Sequence, residues 1–314
     1  MNNSILHTRI QDYINEHLSI DILPILFKKP IFDNVSNNEL VEQIQSKQKC
    51  KKKLPTWYGT EKIYYPNPLN IEQSSSEGTA KYKSELVCAN SLVDLTGGYG
   101  VDSYYFSKKV KQVFHCEIDA RLSKIASHNF SALGIFNVAC KAVDGIAFIK
   151  EFHGQIDWLY IDPSRRDDEK RKMVRLSDCL PDVPSHLTAL FKKSKNILIK
   201  TSPLLDLSIG IEDLKFVKEV HVIAVKNEVK ELLWVLENGF NGLVVYKTIN
   251  LLPTGNEVFD VLPSEEQAAF SNFSSPLTYL YEPNAAILKS GGFKTVGHHF
   301  GLFKLHPNTH LYTS

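Results

Sequence analysis

The spacing of apolar residues changes near residue 90. Before that point they recur at helical spacing, as in LVEQIQSK, which follows a capping box formed by Ser36 and Glu39. After it, short apolar runs alternate with helix-like segments. The pattern predicts a helical region over residues 1–70, ahead of a domain with alternating strands and helices.

The alternating region runs from about residue 91 to about residue 226. The predicted strands are 91–96, 112–118, 136–143, 156–162, 196–201 and 217–226. The predicted helices are 101–109, 120–133, 145–152, 182–193 and 206–214. Repeated βαβ units predict a doubly wound, mostly parallel α/β sheet with helices on both faces, similar to a Rossmann fold.

The last third of the chain has a different pattern. LLWVLENGFNGLVVYKTINLL contains two apolar runs around a Gly/Asn turn, which predicts a hairpin at or beyond the sheet edge. From about residue 251, short β-like runs with many Pro, Gly and Asn residues predict a small α+β part.

Composition places the chain among ordinary globular proteins. It has 314 residues, of which 43% are hydrophobic and 23% charged, and no apolar run is long enough to span a membrane. Its five cysteines are scattered without a CxxC pair, which favours a reducing, cytoplasmic location and argues against a structural zinc site. The histidines of GHHFGLFKLHPNTH lack acidic or cysteine partners at ligand spacing, so no metal site is predicted.

Although the net charge is only +1, the basic residues are concentrated in two clusters. SKQKCKKKLP has five lysines in seven positions, and RRDDEKRKMVR mixes six basic residues with three acidic ones. Each cluster is either a solvated surface or a patch that binds a nucleic-acid backbone.

Three glycines follow the first predicted strand, in the segment DLTGGYGVDS. Gly97, Gly98 and Gly100 lie where doubly wound sheets bind ligands, which indicates a tight turn with room for a nucleotide. Asp94, inside the strand, can orient this loop. Glu117 ends the second strand, where an acidic residue accepts hydrogen bonds from ribose hydroxyls. Asp162 and Pro163 end the fourth strand.

Together these motifs resemble class I S-adenosyl-L-methionine-dependent methyltransferases over residues 73–230. DLTGGYG is similar to their first motif, CEID to the ribose-binding position, VDG to the position beside the adenine, and DPSR to the DPP catalytic motif. The resemblance implies S-adenosyl-L-methionine as cofactor. It implies these cofactor-binding residues: Ser75, Ser76, Thr79, Asp94, Thr96, Gly97, Gly98, Gly100, Glu117 and Asp144. For Ser75, Ser76 and Thr79, plain helix capping is the alternative.

A closer resemblance extends over most of the chain. LPTW, EQSSSEGTAKYK, IDPSRR, KTSPLLDL and YEPNAAILKSGGF are similar to a family of bacterial RNA methyltransferases with a C-terminal THUMP-like domain. The family implies a helical region over 1–70, a methyltransferase domain over 71–235, a ferredoxin-like unit over 236–280 and a THUMP-like domain over 281–314. Members of the family continue beyond HPNTHLYTS, so we expect that last domain to be incomplete.

The DPSRR segment and the end of the fifth strand carry the expected chemistry. The resemblance implies Asp162, Pro163 and Ser164 as catalytic residues. The expected substrate-binding residues are Arg165, Arg166, Lys200 and Ser202, although the two arginines can instead pair with the acidic residues that follow them. DPSR lacks the aromatic residue of NPPY, which disfavours methylation of an adenine amino group. Cys179 is the candidate nucleophile for carbon methylation, or else a small semi-buried residue.

The sequence therefore predicts a cytoplasmic methyltransferase that transfers a methyl group to a nitrogen or oxygen atom of RNA, either tRNA or rRNA. One alternative is a small-molecule or protein methyltransferase with the same core. Another is a catalytically silent RNA-binding module. A nicotinamide-dependent oxidoreductase is disfavoured by Asp94 and by the DPSR segment.

Overall fold

A computed structural model of the chain describes residues 1–165 and 175–314. Contacts divide the chain into two compact units, Met1–Trp158 and Leu159–Ser314, and each is described by itself. The division of the chain into four parts remains a prediction. Arg166 lies outside the described residues.

The helices of the first unit are α1 (Thr8–Glu16), α2 (Leu23–Phe27), α3 (Asn37–Lys53), α4 (Pro55–Gly59), α5 (Pro68–Gln73), α6 (Glu77–Glu85), α7 (Val101–Ser107), α8 (Ala120–Ala132) and α9 (Gly145–Glu151). Those of the second unit are α10 (Val183–Leu190), α11 (Leu207–Asp213), α12 (Pro263–Ala268), α13 (Ala285–Ser290) and α14 (Phe293–Phe300). Short 3-10 helices cover Asn3–Leu6 and Leu176–Asp178.

The strands are β1 (Ala89–Asp94), β2 (Val110–Cys116), β3 (Val138–Lys141), β4 (Ile156–Ile161), β5 (Ser164–Arg165), β6 (Cys179–Leu180), β7 (Ser194–Thr201), β8 (Val217–Val225), β9 (Glu228–Glu237), β10 (Val245–Leu251), β11 (Glu257–Val261), β12 (Leu280–Tyr281), β13 (Phe303–Lys304) and β14 (Tyr312–Thr313). Within the described residues, the main sheet has nine strands in the order β11-β10-β8-β9-β7-β4-β1-β2-β3. β12, β14 and β13 form a small antiparallel sheet, and β5 pairs with β6.

This architecture confirms the predicted fold class. A mixed, mostly parallel sheet follows an N-terminal helical region, and a small antiparallel sheet lies near the C-terminus. β1, β2 and β3 pair in parallel. Each strand and helix predicted between residues 91 and 226 is present, with its ends shifted by a few residues at most.

The hairpin predicted over the segment that begins at Leu232 is wrong. Its two apolar runs are the strands β9 and β10, but these strands do not pair with each other. β9 lies between β7 and β8 and is antiparallel to both. The tight turn instead precedes β9, where Lys226 and Asn227 have left-handed φ angles of 51° and 64°. A central strand such as β9 is buried on both faces, so a local turn signal does not reveal its partners.

The helical region of the first unit shares one apolar core with the glycine loop, α7 and α8. The capping box of Ser36 and Glu39 begins α3, as predicted. Trp57 in α4 is buried and contacts the rings of Tyr99 and Tyr104, at centroid distances of 6.2 and 4.8 Å. The helical region therefore packs directly against the loop and helix that follow β1.

We predict that Gly210→Ala destabilises the protein. Gly210 lies in α11, and a Cβ atom there would approach the buried Trp234 ring to within 2.1 Å. Such overpacking should lower the free energy of unfolding by about 1–3 kcal/mol, measured by urea denaturation. Gly59→Ala is the matched control, since a Cβ at Gly59 meets no described atom within 4 Å. Equal stability of the two variants would contradict the packing argument.

Candidate cofactor site and acidic motif

The three glycines between β1 and α7 differ in what surrounds them. A Cβ atom on Gly97 would lie 2.4 Å from the His115 ring, and one on Gly100 would lie 2.6 Å from Phe130. At Gly98 the nearest described atom would be the Thr96 carbonyl oxygen at 3.9 Å. Gly98 also has a left-handed φ of 55°. Gly97 and Gly100 thus allow internal packing, whereas Gly98 leaves open space beside the main chain.

Asp94 holds the beginning of this loop. Its side chain is buried, and its Oδ1 accepts a hydrogen bond from the Thr96 N–H at 3.1 Å. Its Oδ2 accepts one from the Ser103 hydroxyl in α7 at 2.7 Å. The carboxylate therefore links the end of β1, the loop and the following helix, and both of its oxygens are engaged within the protein.

Glu117 lies directly against the glycine loop. Its Oε2 accepts a hydrogen bond from the Gly98 N–H at 2.8 Å, and its Oε1 accepts one from the Asp119 N–H at 2.8 Å. The structure thus brings together two residues that the sequence predicted for one site. The side chain is half-buried, and each oxygen retains acceptor capacity for a neighbouring diol.

Asp144 begins α9 as its N-cap. Its Oδ1 accepts a hydrogen bond from the Ala147 N–H at 2.7 Å, and its side chain is exposed. The next residue, Gly145, packs so closely on β1 that a Cβ would lie 2.1 Å from the Leu95 carbonyl oxygen. Asp144 therefore lies beside the carboxyl end of β1, one residue from this contact.

The segment before β1 is anchored inside the protein. The Ser75 hydroxyl donates to Asp102 Oδ2 at 2.8 Å and accepts from Lys83 Nζ at 2.9 Å. Lys83 is fully buried and forms an ion pair with Asp102 Oδ1 at 3.1 Å. Ser76 caps α6 by accepting from the Thr79 N–H at 3.3 Å, and the Thr79 hydroxyl donates back to the Ser76 carbonyl.

The sequence analysis missed Lys83 and Asp102. Asp102 lies in the first turn of α7, two residues after the last glycine of the loop, so its position was a usable signal. Nothing local marks Lys83, since a lysine in a short helix is ordinarily solvated. Through these two residues, the segment before β1 is tied to the helix that follows the glycine loop.

The His115 side chain packs against the glycine loop at Gly97. It is completely buried in β2, and neither ring nitrogen has a hydrogen-bond partner among the described residues. Burial lowers the pKa of His115 to about 4, partly offset by the nearby backbone of Gly97 and Gly98. A neutral imidazole ring therefore fills the space that a side chain at position 97 would need.

The acidic motif, which is the DPSR segment that begins at Asp162, belongs to the second unit. Lys200, near the end of β7, donates a hydrogen bond from Nζ to Asp162 Oδ2, and the two side chains form an ion pair. Lys200 is largely buried and Asp162 half-buried. The structure thus brings together a predicted catalytic residue and a predicted substrate-binding residue.

The other described residues predicted for catalysis or substrate binding lie next to Asp162 or just after β7. Pro163 follows Asp162, and Ser164 pairs with Leu180 in the short sheet formed by β5 and β6. Arg165 ends β5. The Ser202 hydroxyl accepts from the Leu204 N–H at 3.3 Å, in the loop after β7. Cys179 is buried in β6, as expected for a small packed residue.

Among the described residues, no group of three or more histidine, cysteine or carboxylate side chains could hold a metal ion. No helix in residues 1–165 or 175–314 is long and apolar enough to cross a bilayer.

The C-terminal residues are similar to a known domain family. A family model described as a ferredoxin-like domain matches residues 279–314. This range lies where the sequence predicted a THUMP-like domain, and that finer assignment remains a prediction. No curated protein matches the chain.

Among solved structures, the crystal structure of a "putative methyltransferase" from Porphyromonas gingivalis W83 is 33% identical. The match covers 99% of this chain and 78% of that chain, with a TM-score of 0.85. This chain has the class I methyltransferase fold with a ferredoxin-like C-terminal part. The chain belongs to the same family as the P. gingivalis protein.

Two weaker likenesses concern smaller parts of the chain. TrmK from M. capricolum, solved with S-adenosyl-homocysteine, is 14% identical over 52% of this chain and 70% of its own, with a TM-score of 0.39. An rRNA methylase from Streptococcus thermophilus is 15% identical over 55% of this chain and 98% of its own, with a TM-score of 0.37. Likenesses at this level establish nothing about the activity of this chain.

We predict that His115 makes folding stability depend on pH. The folded protein keeps the ring neutral down to a pKa of about 4, whereas the unfolded chain takes up a proton below the ordinary value of 6.5. The free energy of unfolding should therefore fall by about 3 kcal/mol as pH decreases through this range.

His115→Leu should remove this part of the pH dependence, which is measured as the difference between urea unfolding at pH 7 and at pH 4.5. The exposed His153 provides the control His153→Gln, which should leave the difference unchanged. An identical pH dependence in wild type and His115→Leu would mean that the ring is not held neutral by burial.

Proposed function

We propose that this protein is an S-adenosyl-L-methionine-dependent methyltransferase that methylates a nitrogen or oxygen atom of RNA. The observation that carries the proposal is the contact between Gly98 and Glu117. Open space beside a left-handed glycine adjoins a carboxylate that the main chain holds in place. Membership of the P. gingivalis protein's family supports the methyltransferase class.

The residues of the first unit fit this cofactor. Glu117 can accept hydrogen bonds from both ribose hydroxyls while it keeps its contacts with the Gly98 and Asp119 N–H groups. Gly98 admits the nucleoside beside its main chain, and Asp94 and Thr96 shape the loop. Asp144, beside the end of β1, is assigned to the adenine.

The methionine end is assigned to the segment that contains Ser75, Ser76 and Thr79. The Ser75 hydroxyl is engaged by Lys83 and Asp102, so its role in this proposal is to hold the segment in place. The start of α6, with the Ser76 cap, offers backbone N–H groups to a carboxylate. Binding thus depends on a buried ion pair that does not itself contact the cofactor.

S-adenosyl-L-methionine, when bound, supplies a methyl group on a positively charged sulfur, which needs no further activation. The protein then has to position the acceptor atom and take up its proton. We assign the proton to the Asp162 carboxylate. The Lys200 ammonium pairs with this carboxylate and holds it in a fixed position. Pro163 and Ser164 are assigned to shaping the chain beside the acceptor.

RNA as the substrate is the finer part of the proposal. Lys51 and Lys52 are exposed in the last turn of α3, within the first basic cluster. Such a cluster suits a phosphate backbone. Arg165, Arg166 and Ser202 are assigned to substrate binding, and a THUMP-like C-terminal part would bind the same RNA.

We predict that Gly98→Val abolishes binding of S-adenosyl-L-methionine, measured by calorimetry. The valine side chain would fill the open space, and its left-handed backbone would cost roughly 1–2 kcal/mol of stability. Gly134→Val is the matched control. Gly134 has a similar φ of 72° and open surroundings, so this variant carries the same strain and should keep its affinity. Wild-type affinity in Gly98→Val would refute the assignment of this loop.

We predict that Asp162→Asn keeps cofactor affinity but lowers the rate of methyl transfer about 100-fold or more, the range for loss of a general base. The control Asp260→Asn breaks another Lys–Asp pair of the same unit, with Lys247, and should retain activity.

The assay is mass spectrometry of modified nucleosides in RNA from cells that lack the gene, complemented with each variant. Wild type and Asp260→Asn should restore one methylated nucleoside that Asp162→Asn does not restore. If no methylated nucleoside depends on the gene, RNA is not the substrate. If cofactor affinity and transfer fall together in Asp162→Asn, the catalytic role is wrong.

A further inference from the structure

The second unit contains a cavity of about 820 Å³ that the proposed methyl transfer does not use. It lies among the ends of β10 and β11, the residues around α13 and α14, and β14. Its principal lining residues are Glu257, Phe259, Tyr281, Asn284, Phe300 and Tyr312. We call it the Glu257 pocket.

The Glu257 carboxylate is held in a fixed orientation. Its Oε2 accepts hydrogen bonds from the side-chain amides of Asn250 at 2.9 Å and Asn284 at 3.0 Å. Both amides are themselves fixed, because Asn250 Oδ1 accepts from the Asn227 N–H and Asn284 Oδ1 caps α13. Among the described residues, Glu257 Oε1 accepts no hydrogen bond. The pocket therefore offers one oriented acceptor atom.

The remaining walls are mainly apolar and aromatic. Phe300 and Tyr281 are 57% and 39% exposed, although both rings line the cavity. Phe259 and the buried Tyr312 belong to the small cluster beneath. Exposed aromatic rings around a cavity are suited to stacking on a flat ligand that covers them.

The lining residues exclude a phosphate group as the main ligand. None of them is a lysine, arginine or histidine, and Glu282 adds a second carboxylate to Glu257. An ammonium ion alone would satisfy a carboxylate but would leave most of the aromatic wall exposed. A flat heterocycle with N–H donors on its edge satisfies both the carboxylate and the rings.

We propose that the Glu257 pocket binds an unpaired guanine base. Guanine presents a ring N–H and an exocyclic amino group side by side, so both can donate to the one Glu257 oxygen, Oε1, that the asparagine amides leave open. In uracil, two carbonyl oxygens flank the ring N–H and are repelled by the same carboxylate. The proposal rests on the proposed RNA substrate for the natural source of the base: the pocket would hold an unpaired guanosine of that RNA.

Binding of the isolated base requires neither S-adenosyl-L-methionine nor methyl transfer. Calorimetry on the full chain with guanosine, GMP and UMP therefore tests the pocket separately from the enzyme activity. We expect guanosine and GMP to bind equally, with little dependence on salt because no phosphate contact is involved. UMP should bind at least about tenfold more weakly, the discrimination given by one good base contact.

Substitutions at two lining residues, Phe300 and Glu257, locate the binding in the pocket. Phe300→Ala should weaken guanosine binding about tenfold through lost stacking, and Phe300→Leu, which keeps an apolar cover, should weaken it less. Glu257→Gln should reduce the preference for guanosine over uridine. The controls are Phe27→Ala, which removes a more exposed ring in the first unit, and Glu151→Gln, which removes an exposed carboxylate there.

The proposal is overturned if guanosine and uridine bind alike, if only the phosphorylated forms bind, or if Phe300→Ala and Glu257→Gln behave as their controls do. It is also overturned if tetramethylammonium binds and displaces guanosine, since the pocket would then recognise a cation. Loss of guanosine binding with methyl transfer intact would leave the enzyme assignment standing, and the reverse result would leave the pocket standing.

Discussion

The site of the first unit depends on one hydrogen bond, from the Gly98 N–H to the Glu117 carboxylate. It joins the loop after β1 to the end of β2 at the point where the main chain carries no side chain. A carboxylate held in this way needs little reorganisation before it can accept hydrogen bonds from a diol. The bond is possible only because Gly98 adopts a left-handed conformation, which orients its N–H toward the neighbouring strand.

The surroundings of this bond are polar groups buried with their partners. Asp94 is engaged by Thr96 and Ser103, and Lys83 is engaged by Asp102 and Ser75. Removal of one member would leave a buried charge without compensation, which is more costly than the pair is stabilising. His115 is the exception, since it is buried as a neutral ring and provides volume rather than charge. These groups make the loop rigid before any ligand is bound.

The second unit contains two arrangements with different chemistry. Lys200 and Asp162 form a partly buried ion pair, which holds a carboxylate in a fixed position. In the Glu257 pocket, two asparagine amides orient a carboxylate next to aromatic rings, which suits recognition of a flat base. In the function proposed above, the first arrangement serves the transfer step and the second binds part of the substrate.

The order and type of the elements between residues 91 and 226 follow from sequence alone, because periodicity reports burial and burial decides between strand and helix. The pairing of Gly98 with Glu117 was predictable in the same way, since the ends of neighbouring parallel strands meet at one edge of the sheet. The neighbours of β9 were not predictable, because a strand buried on both faces is apolar throughout and does not encode its partners. The burial of Lys83 was not predictable either, because a buried lysine cannot be told from a surface lysine in the sequence. The Glu257 pocket was not predictable because its lining residues are far apart in the sequence, from Asn227 to Ser314. Sequence thus determined the local elements and the chemistry of the glycine loop. The tertiary structure decided which distant polar groups are buried together, because only packing of the two groups against each other excludes water from them.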